Sequence, residues 1–319
     1  MKKVFLVLTI AVCLVASVFA GGASEKKAAP GTFRVGVVQL VQHPALDAAT
    51  EGFMKALVEQ LGDKVSFDVQ NASGEINNCA TIVNGFVSSN TDLIMANATP
   101  ALTAAVSATN TIPVLGTSVT DYGVALDIDN FSGLVGTNVS GTSDQPPLDE
   151  QARMILEIFP GVKKVGMLYC SAEANSIFQV AKVEEVLKAA GVETRHFAFT
   201  DTNDIASVTQ NATQWAQVVY IPTDNTAASN TEAIANILVP AKVPAFCGEQ
   251  ALCEGCGVAT LSISYYDLGK TTGNMAAKIL KGEAKVSEMP IEYAPAIKMY
   301  NAKMCEVYGI KAPAGYVAF

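Results

Sequence analysis

Histidine is nearly absent: the 319 residues hold two, His43 and His196. Lysine and arginine are also scarce, 21 against 30 acids, for a formal charge of −9. Nucleic acid wants a basic patch, so this balance argues against it as a partner. No G-x-S-x-G elbow, H-E-x-x-H pair or G-x-G-x-x-G fingerprint occurs, which leaves hydrolase, zinc-peptidase and dinucleotide chemistry without their usual scaffolding. His196 falls in an expected strand with no nucleophile motif nearby, so it reads as structural. Paired acids such as Asp224 and Glu249 are the one route left to glycosidase chemistry. The chain is expected not to be an enzyme and to need no cofactor.

Long apolar runs are missing after the first twenty residues. Met1–Ala20 has the charged start, apolar middle and small-residue end of a signal peptide. Cys13 lies too early for a lipoprotein cleavage site, so export without a lipid anchor is expected. Residues 21–32 read as a polar linker. Of the seven cysteines, six follow the leader, and only Cys253 and Cys256 are closely spaced. Export permits a disulfide between them. Free thiols are the alternative, while zinc would need four ligands and only Cys247 lies near as a third.

What is present is a regular alternation of short apolar strands and amphipathic helices. The clearest unit is Lys163–Phe199, where Val165, Met167 and Tyr169 mark a strand and Val183, Val186, Leu187 and Ala190 recur at helical spacing. Gly191 stops the helix, and Val192–Phe199 is the next strand. Such a βαβ unit requires a parallel sheet with a right-handed crossover. The same alternation runs from Phe33–Leu40 through strands at Lys64–Gln70, Asp92–Ala96, Ile112–Leu115 and Gly133–Asn138. Gly141–Pro147, with two prolines, reads as a break. The pattern then resumes from Leu148, with later strands at Gln217–Ile221, Val243–Cys247, Val258–Ser262 and Ile297–Tyr300, and a long helix at Tyr266–Leu280. The expectation is an α/β protein of two doubly wound parallel-sheet lobes, the first at 33–145 and the second at 146–256. Periodicity alone does not assign the trailing elements to a lobe.

In such sheets ligands bind beyond the carboxyl ends of the strands. The loops there carry hydroxyls, amides and acids: Gln39 and His43; Asn97 and Thr99; Ser118, Thr120 and Asp121; Ser171, Glu173, Asn175 and Ser176; Thr223, Asp224 and Asn225; and Glu249. Asn175 or Ser176 is also expected to cap its helix, as is Thr99. His43 precedes Pro44 and either touches ligand or shapes the turn. Tyr122 and Tyr265 are the aromatic residues at hand. Hydroxyls at helix N-termini suit a carboxylate, and Asp121, Glu173, Asp224 or Glu249 could receive an ammonium.

The strings VGVVQLVQHPALDAATEGF, DLIMANATPA, PVLGTSVTD, GTSDQPP, VGMLYCSAEANS, YIPTDNTAAS and GVATLSISYYDLGKTTGNMAAKIL resemble the ABC-transporter substrate-binding proteins of the tryptophan and tyrosine type, in order, from about Arg34 to the last helix. The resemblance implies the type I periplasmic-binding fold with a three-segment hinge. It implies a carrier that delivers a small ligand, an aromatic amino acid, to a membrane permease, and a monomer is expected. It also implies that 257–288 returns to the first lobe and that 289–319 completes the second. Thr99, Ser118 and Thr120 would then hold the carboxylate and Asp224 the ammonium. A sugar or nucleoside carrier, or a ligand sensor for a membrane receptor, would share the fold.

Overall fold

The computed structural model describes residues 31–319. The expected signal peptide, Cys13 and most of the 21–32 linker lie outside the described residues. Among the described residues no helix is long and apolar enough to cross a membrane.

The first sheet takes β1 (Phe33–Gln39), β2 (Val65–Asn71), β3 (Leu93–Asn97), β4 (Val114–Val119) and β5 (Val139–Ser143). Between them run α1 (Pro44–Leu61), α2 (Ile76–Ser88), α3 (Thr99–Ala108) and the short α4 (Tyr122–Leu126). After α5 (Leu148–Ile158) the second sheet begins with β6 (Lys164–Cys170), α6 (Ala174–Ala189), β7 (Glu193–Phe199), α7 (Ile205–Thr213) and β8 (Val218–Ile221). It continues with α8 (Asn225–Ala228), α9 (Thr231–Ala241), β9 (Ala245–Cys247), α10 (Gln250–Cys256) and β10 (Ala259–Ser262). Then follow α11 (Tyr265–Leu280), β11 (Glu292–Tyr293), β12 (Ile297–Tyr300), α12 (Ala302–Tyr308) and β13 (Val317–Ala318).

The strand orders are β11-β5-β4-β3-β1-β2 and β13-β12-β10-β9-β8-β6-β7. All pairings are parallel except β10 with β12. In each sheet the order reverses beside its first strand, β1 or β6, and that switch point opens a crevice at the carboxyl ends.

The chain crosses between sheets three times, at Asp144–Pro147, Ile263–Ser264 and Ala294–Ala296. These crossings shift the expected boundaries. Ala259–Ser262 does not return with the first lobe; it pairs with β9 and β12 in the second sheet. Glu292–Tyr293 extends the first sheet instead of the second, beside Thr142 and Ser143. The strand expected at Gly133–Asn138 lies instead at Val139–Ser143, overlapping the expected break. It is a strand of small polar residues, buried throughout. Thr142 satisfies itself against Thr117 and Thr272 (3.2 and 2.8 Å), and Gly141, at φ +143°, leaves room for the Gly116 carbonyl where a Cβ would collide.

α11 fastens to the first lobe along α1. The contact is made by small residues: a Cβ on Gly52 would strike the Tyr266 carbonyl, and one on Gly269 the Ala49 carbonyl. Bare backbone lets these two helices approach closely.

Candidate ligand-binding site

The loops at the two switch points meet between the lobes around a buried cavity. Its walls include His43, Leu46, Ser118, Thr120, Asp144 and Tyr265 from the first lobe and its hinge, and Asn175, Thr223, Asp224, Asn225, Ala228 and Glu249 from the second. The space is tight. Its volume is about 270 Å³, open solvent at its mouth included.

Ser118 reaches this cavity through a break in β4. The β4–β5 register shifts between Gly116 and Val119, and Ser118 adopts φ +54°. A bulge of this kind re-aims a side chain, and a non-glycine residue held there is strained. α3 is not capped by Thr99 as expected. Thr99 is its first residue, and Ala98, at φ +95° with no side chain able to cap, precedes it. The Thr99 hydroxyl is buried without a partner outside the cavity, in a groove between α2 and α3.

Most of the expected acids are occupied by the fold. Asp224 accepts from the Cys170 amide (2.7 Å), the Ser176 hydroxyl (2.7 Å) and the Ala227 amide (2.8 Å), the last capping α8. Burial, and then the neighbouring Glu173, pushes its carboxyl well above the usual range. Glu173 precedes α6 and gathers Asn225 and Thr226 of the opposite loop through bonds of 2.6–3.1 Å. Glu249 caps α10 through the Ala251 and Leu252 amides, and burial lifts its carboxyl to about 7. Asp121 caps α4 and lies outside the cavity.

Other expected residues are also structural. Gln39 braces α1 through Thr50 and Asp47. Asn97 donates to the Leu46 carbonyl and the Thr50 hydroxyl. Ser171 bonds the Phe199 carbonyl, and Ser176 serves Asp224. Neither Asn175 nor Ser176 caps α6; both sit within its first turn, where Asn175 donates to the Thr223 carbonyl at 3.0 Å. Tyr122 is a core residue, 1% exposed, bonded to the Thr142 carbonyl. Thus His43, Ser118, Thr120, Asn175, Thr223, Asp224, Asn225, Glu249 and Tyr265 line the cavity, and the remaining expected residues do not.

The sequence reading missed Asp144 and Gln179. Asp144 stands on the first hinge crossing, 3% exposed. Its Oδ2 accepts the Tyr265 hydroxyl at 2.8 Å, while Oδ1 has no partner. Burial raises its carboxyl from 3.8 to about 6, against the pull of the Tyr265 and Thr120 hydroxyls. Among the described residues no lysine or arginine lines the cavity. Gln179, fully buried on α6, accepts the Thr223 amide and reaches Thr120 of the other lobe at 3.4 Å. His43 also crosses the cleft, with Nε2 3.2 Å from Asn225 Oδ1.

Five wall residues hold buried polar atoms without partners: His43 Nδ1, Ser118 Oγ, Asp144 Oδ1, Asn175 Oδ1 and Thr223 Oγ1. Leaving each unmade costs about 1–3 kcal/mol. Such a concentration marks a surface shaped for a polar ligand.

The expected Cys253–Cys256 disulfide is corrected by the structure. All six described cysteines are free and buried. Cys253 and Cys256 lie one turn apart on α10 and pack with Cys247 in the apolar interior of the second lobe. Burial holds Cys247 and Cys253 protonated; for Cys256 the Cys247 thiol does so first, then burial.

Residues 34–314 match the family described as ABC transporter substrate binding protein. The chain belongs to this family of substrate-binding proteins. Its members are extracytoplasmic, non-catalytic binders of small molecules that work with a membrane permease. A tyrosine-binding protein of Clostridioides difficile is 32% identical over 263 residues, covering 81% of this chain and 75% of that one. A domain from Streptococcus pneumonia solved in complex with L-Trp is 32% identical with a TM-score of 0.85, covering 90% and 100%. The ligand-free, open structure of a Clostridium difficile substrate-binding protein with adhesive properties is 33% identical but scores 0.67, covering 90% and 99%. At nearly equal identity, the fold of this substrate-binding protein superposes more closely on the complex than on the open form.

Proposed function

We propose that this protein captures a free aromatic α-amino acid between its lobes and presents the closed form to a permease, acting as an exported monomer. The observation that carries the reading is Asp144: a buried carboxylate with one open oxygen, in a cavity that no lysine or arginine among the described residues lines. An ammonium supplies the missing partner, and a charge-assisted hydrogen bond is shorter and stronger than a neutral one. The unpaired hydroxyls of Ser118 and Thr223, with Thr120, suit the carboxylate at the other end of the zwitterion. Asp224, which expectation placed at the ammonium, already holds three donors and serves the second lobe's own fold.

Two similar proteins, a tyrosine-binding protein and a domain solved in complex with L-Trp, support an aromatic side chain. Ligand pockets usually run to roughly 300–1,000 Å³, so the lobes stand further apart around such a ligand than they do here. A ligand touching both lobes favours closure by its differential affinity for that state.

A thermal-shift screen of the amino acids, ribose, xylose and nucleosides tests the reading. Ligand at 100 times its Kd adds roughly 2.7 kcal/mol. Stabilisation by aromatic amino acids is expected, and stabilisation only by sugars or nucleosides would overturn it.

A further inference from the structure

The ring of His43 points to how the ligand's side chain is chosen, a step that rests on the amino-acid reading above. His43 occupies the position before α1, in extended backbone at φ −160° and ψ 161°, and makes no cap bond. The residue before a proline is driven to that conformation, and here it frees the ring to cross the cleft. Its partner Asn225 cannot be turned around. Asn225 Nδ2 donates to Glu173 Oε2 at 2.6 Å, and the Asn225 amide donates to the same oxygen at 3.1 Å. That leaves Asn225 Oδ1 facing His43, so the proton of the neutral ring belongs on Nε2.

Burial lowers the His43 pKa against the opposing pull of Asn225, Glu173 and Asp47, and the ring is 6% exposed. Nδ1 therefore carries a lone pair and no hydrogen. It is a buried acceptor on a cavity wall, with no partner among the described residues.

We propose that His43 Nδ1 accepts a hydrogen bond from a donor on the ligand's side chain, a phenolic O–H or an indole N–H, and so selects against phenylalanine. The zwitterion's own groups are provided for elsewhere, the ammonium at Asp144 and the carboxylate at the hydroxyls. Two neutral acceptors then remain, His43 Nδ1 from the first lobe and Asn175 Oδ1 from the second. A plain phenyl ring would bury both unpaired. Sites built to bond a substrate's polar group reject the analogue lacking it far more strongly than apolar pockets discriminate by size. The chain Glu173–Asn225–His43 fixes the tautomer, so Glu173 and Asn225 act as positioning residues.

Calorimetric titration with L-tyrosine, L-tryptophan and L-phenylalanine tests this. Wild type binds the better of tyrosine and tryptophan at least about tenfold more tightly than phenylalanine. In His43→Phe, which keeps a ring but removes the acceptor, that ratio falls towards one. In His43→Gln, which retains an acceptor, most of it survives. A purely structural role for His43 lowers all three affinities together and leaves the ratio unchanged, which overturns the proposal. Equal binding of phenylalanine by wild type also overturns it, while leaving the amino-acid reading intact. Binding of none of the three overturns that reading and this one together.

Discussion

Replacing Asp144 with asparagine should move stability and affinity in opposite directions. In the free protein the carboxylate lies in the interior with only hydroxyl partners, and its pKa rises from 3.8 to about 6. That rise corresponds to about 3 kcal/mol of cost at pH 8, where the group is ionised in both states. The sign follows from the protons bound. Between about pH 4 and 6 the native state keeps a proton that the unfolded chain has lost. The group's contribution is therefore best below the unfolded value and is lost as pH rises through about 6. The asparagine side chain carries no charge, though its amide brings a donor needing a partner, so a net gain of about 1–2 kcal/mol is expected. Across a chain of this size that raises the Tm by about 2–5 °C at pH 8, and the gap closes by pH 5. Affinity for L-tyrosine or L-tryptophan should fall by about 2–5 kcal/mol, roughly 30-fold or more, because a buried ammonium loses its charged partner. Wild-type affinity should itself weaken below about pH 6, as Asp144 takes up a proton. Scanning calorimetry of the free proteins and titration calorimetry with the two amino acids read both effects. A variant that melts lower than wild type at pH 8 and binds as tightly would refute the reasoning.

Asp224→Ala strips partners from the Cys170 amide, the Ser176 hydroxyl and the Ala227 amide, so urea unfolding should show a loss of about 2–4 kcal/mol. Its affinity, corrected for the folded fraction, should change less than that of Asp144→Asn. Gly269→Val forces a side chain against the Ala49 backbone and should cost about 3 kcal/mol or prevent folding, seen as a lowered denaturation midpoint. The buried thiols of Cys247, Cys253 and Cys256 should resist a thiol reagent in the native protein and react once it is unfolded. Immediate reaction in the native state, or no reaction after unfolding, would contradict the free, buried cluster.

The two-lobed parallel architecture was legible because each βαβ unit writes its own periodicity, as Lys163–Phe199 does. The convergence of the strand-end loops followed from topology. What escaped was of a different kind. Val139–Ser143 has little of the branched apolar character of a buried strand, because its hydroxyls find partners in Thr117, Thr272 and the Met289 carbonyl. Once that strand was read as a turn, Asp144 looked like a linker acid. Asp224, Glu173 and Glu249 sit where a ligand acid belongs. Whether such a carboxylate meets a ligand or the amides of its own helix depends on side-chain direction, which no spacing records. The lobe holding Ala259–Ser262 was hidden for a related reason: an apolar strand reads the same in either sheet.

The most direct test of the account is a crystal structure of the protein loaded with L-tyrosine or L-tryptophan. The ligand should lie between the lobes with its ammonium about 2.7–2.9 Å from Asp144 Oδ1 and its carboxylate among the hydroxyls of Ser118, Thr120 and Thr223. A ligand bound outside the cleft, or one whose ammonium rests on Asp224 while Asp144 Oδ1 stays unpaired, would contradict it.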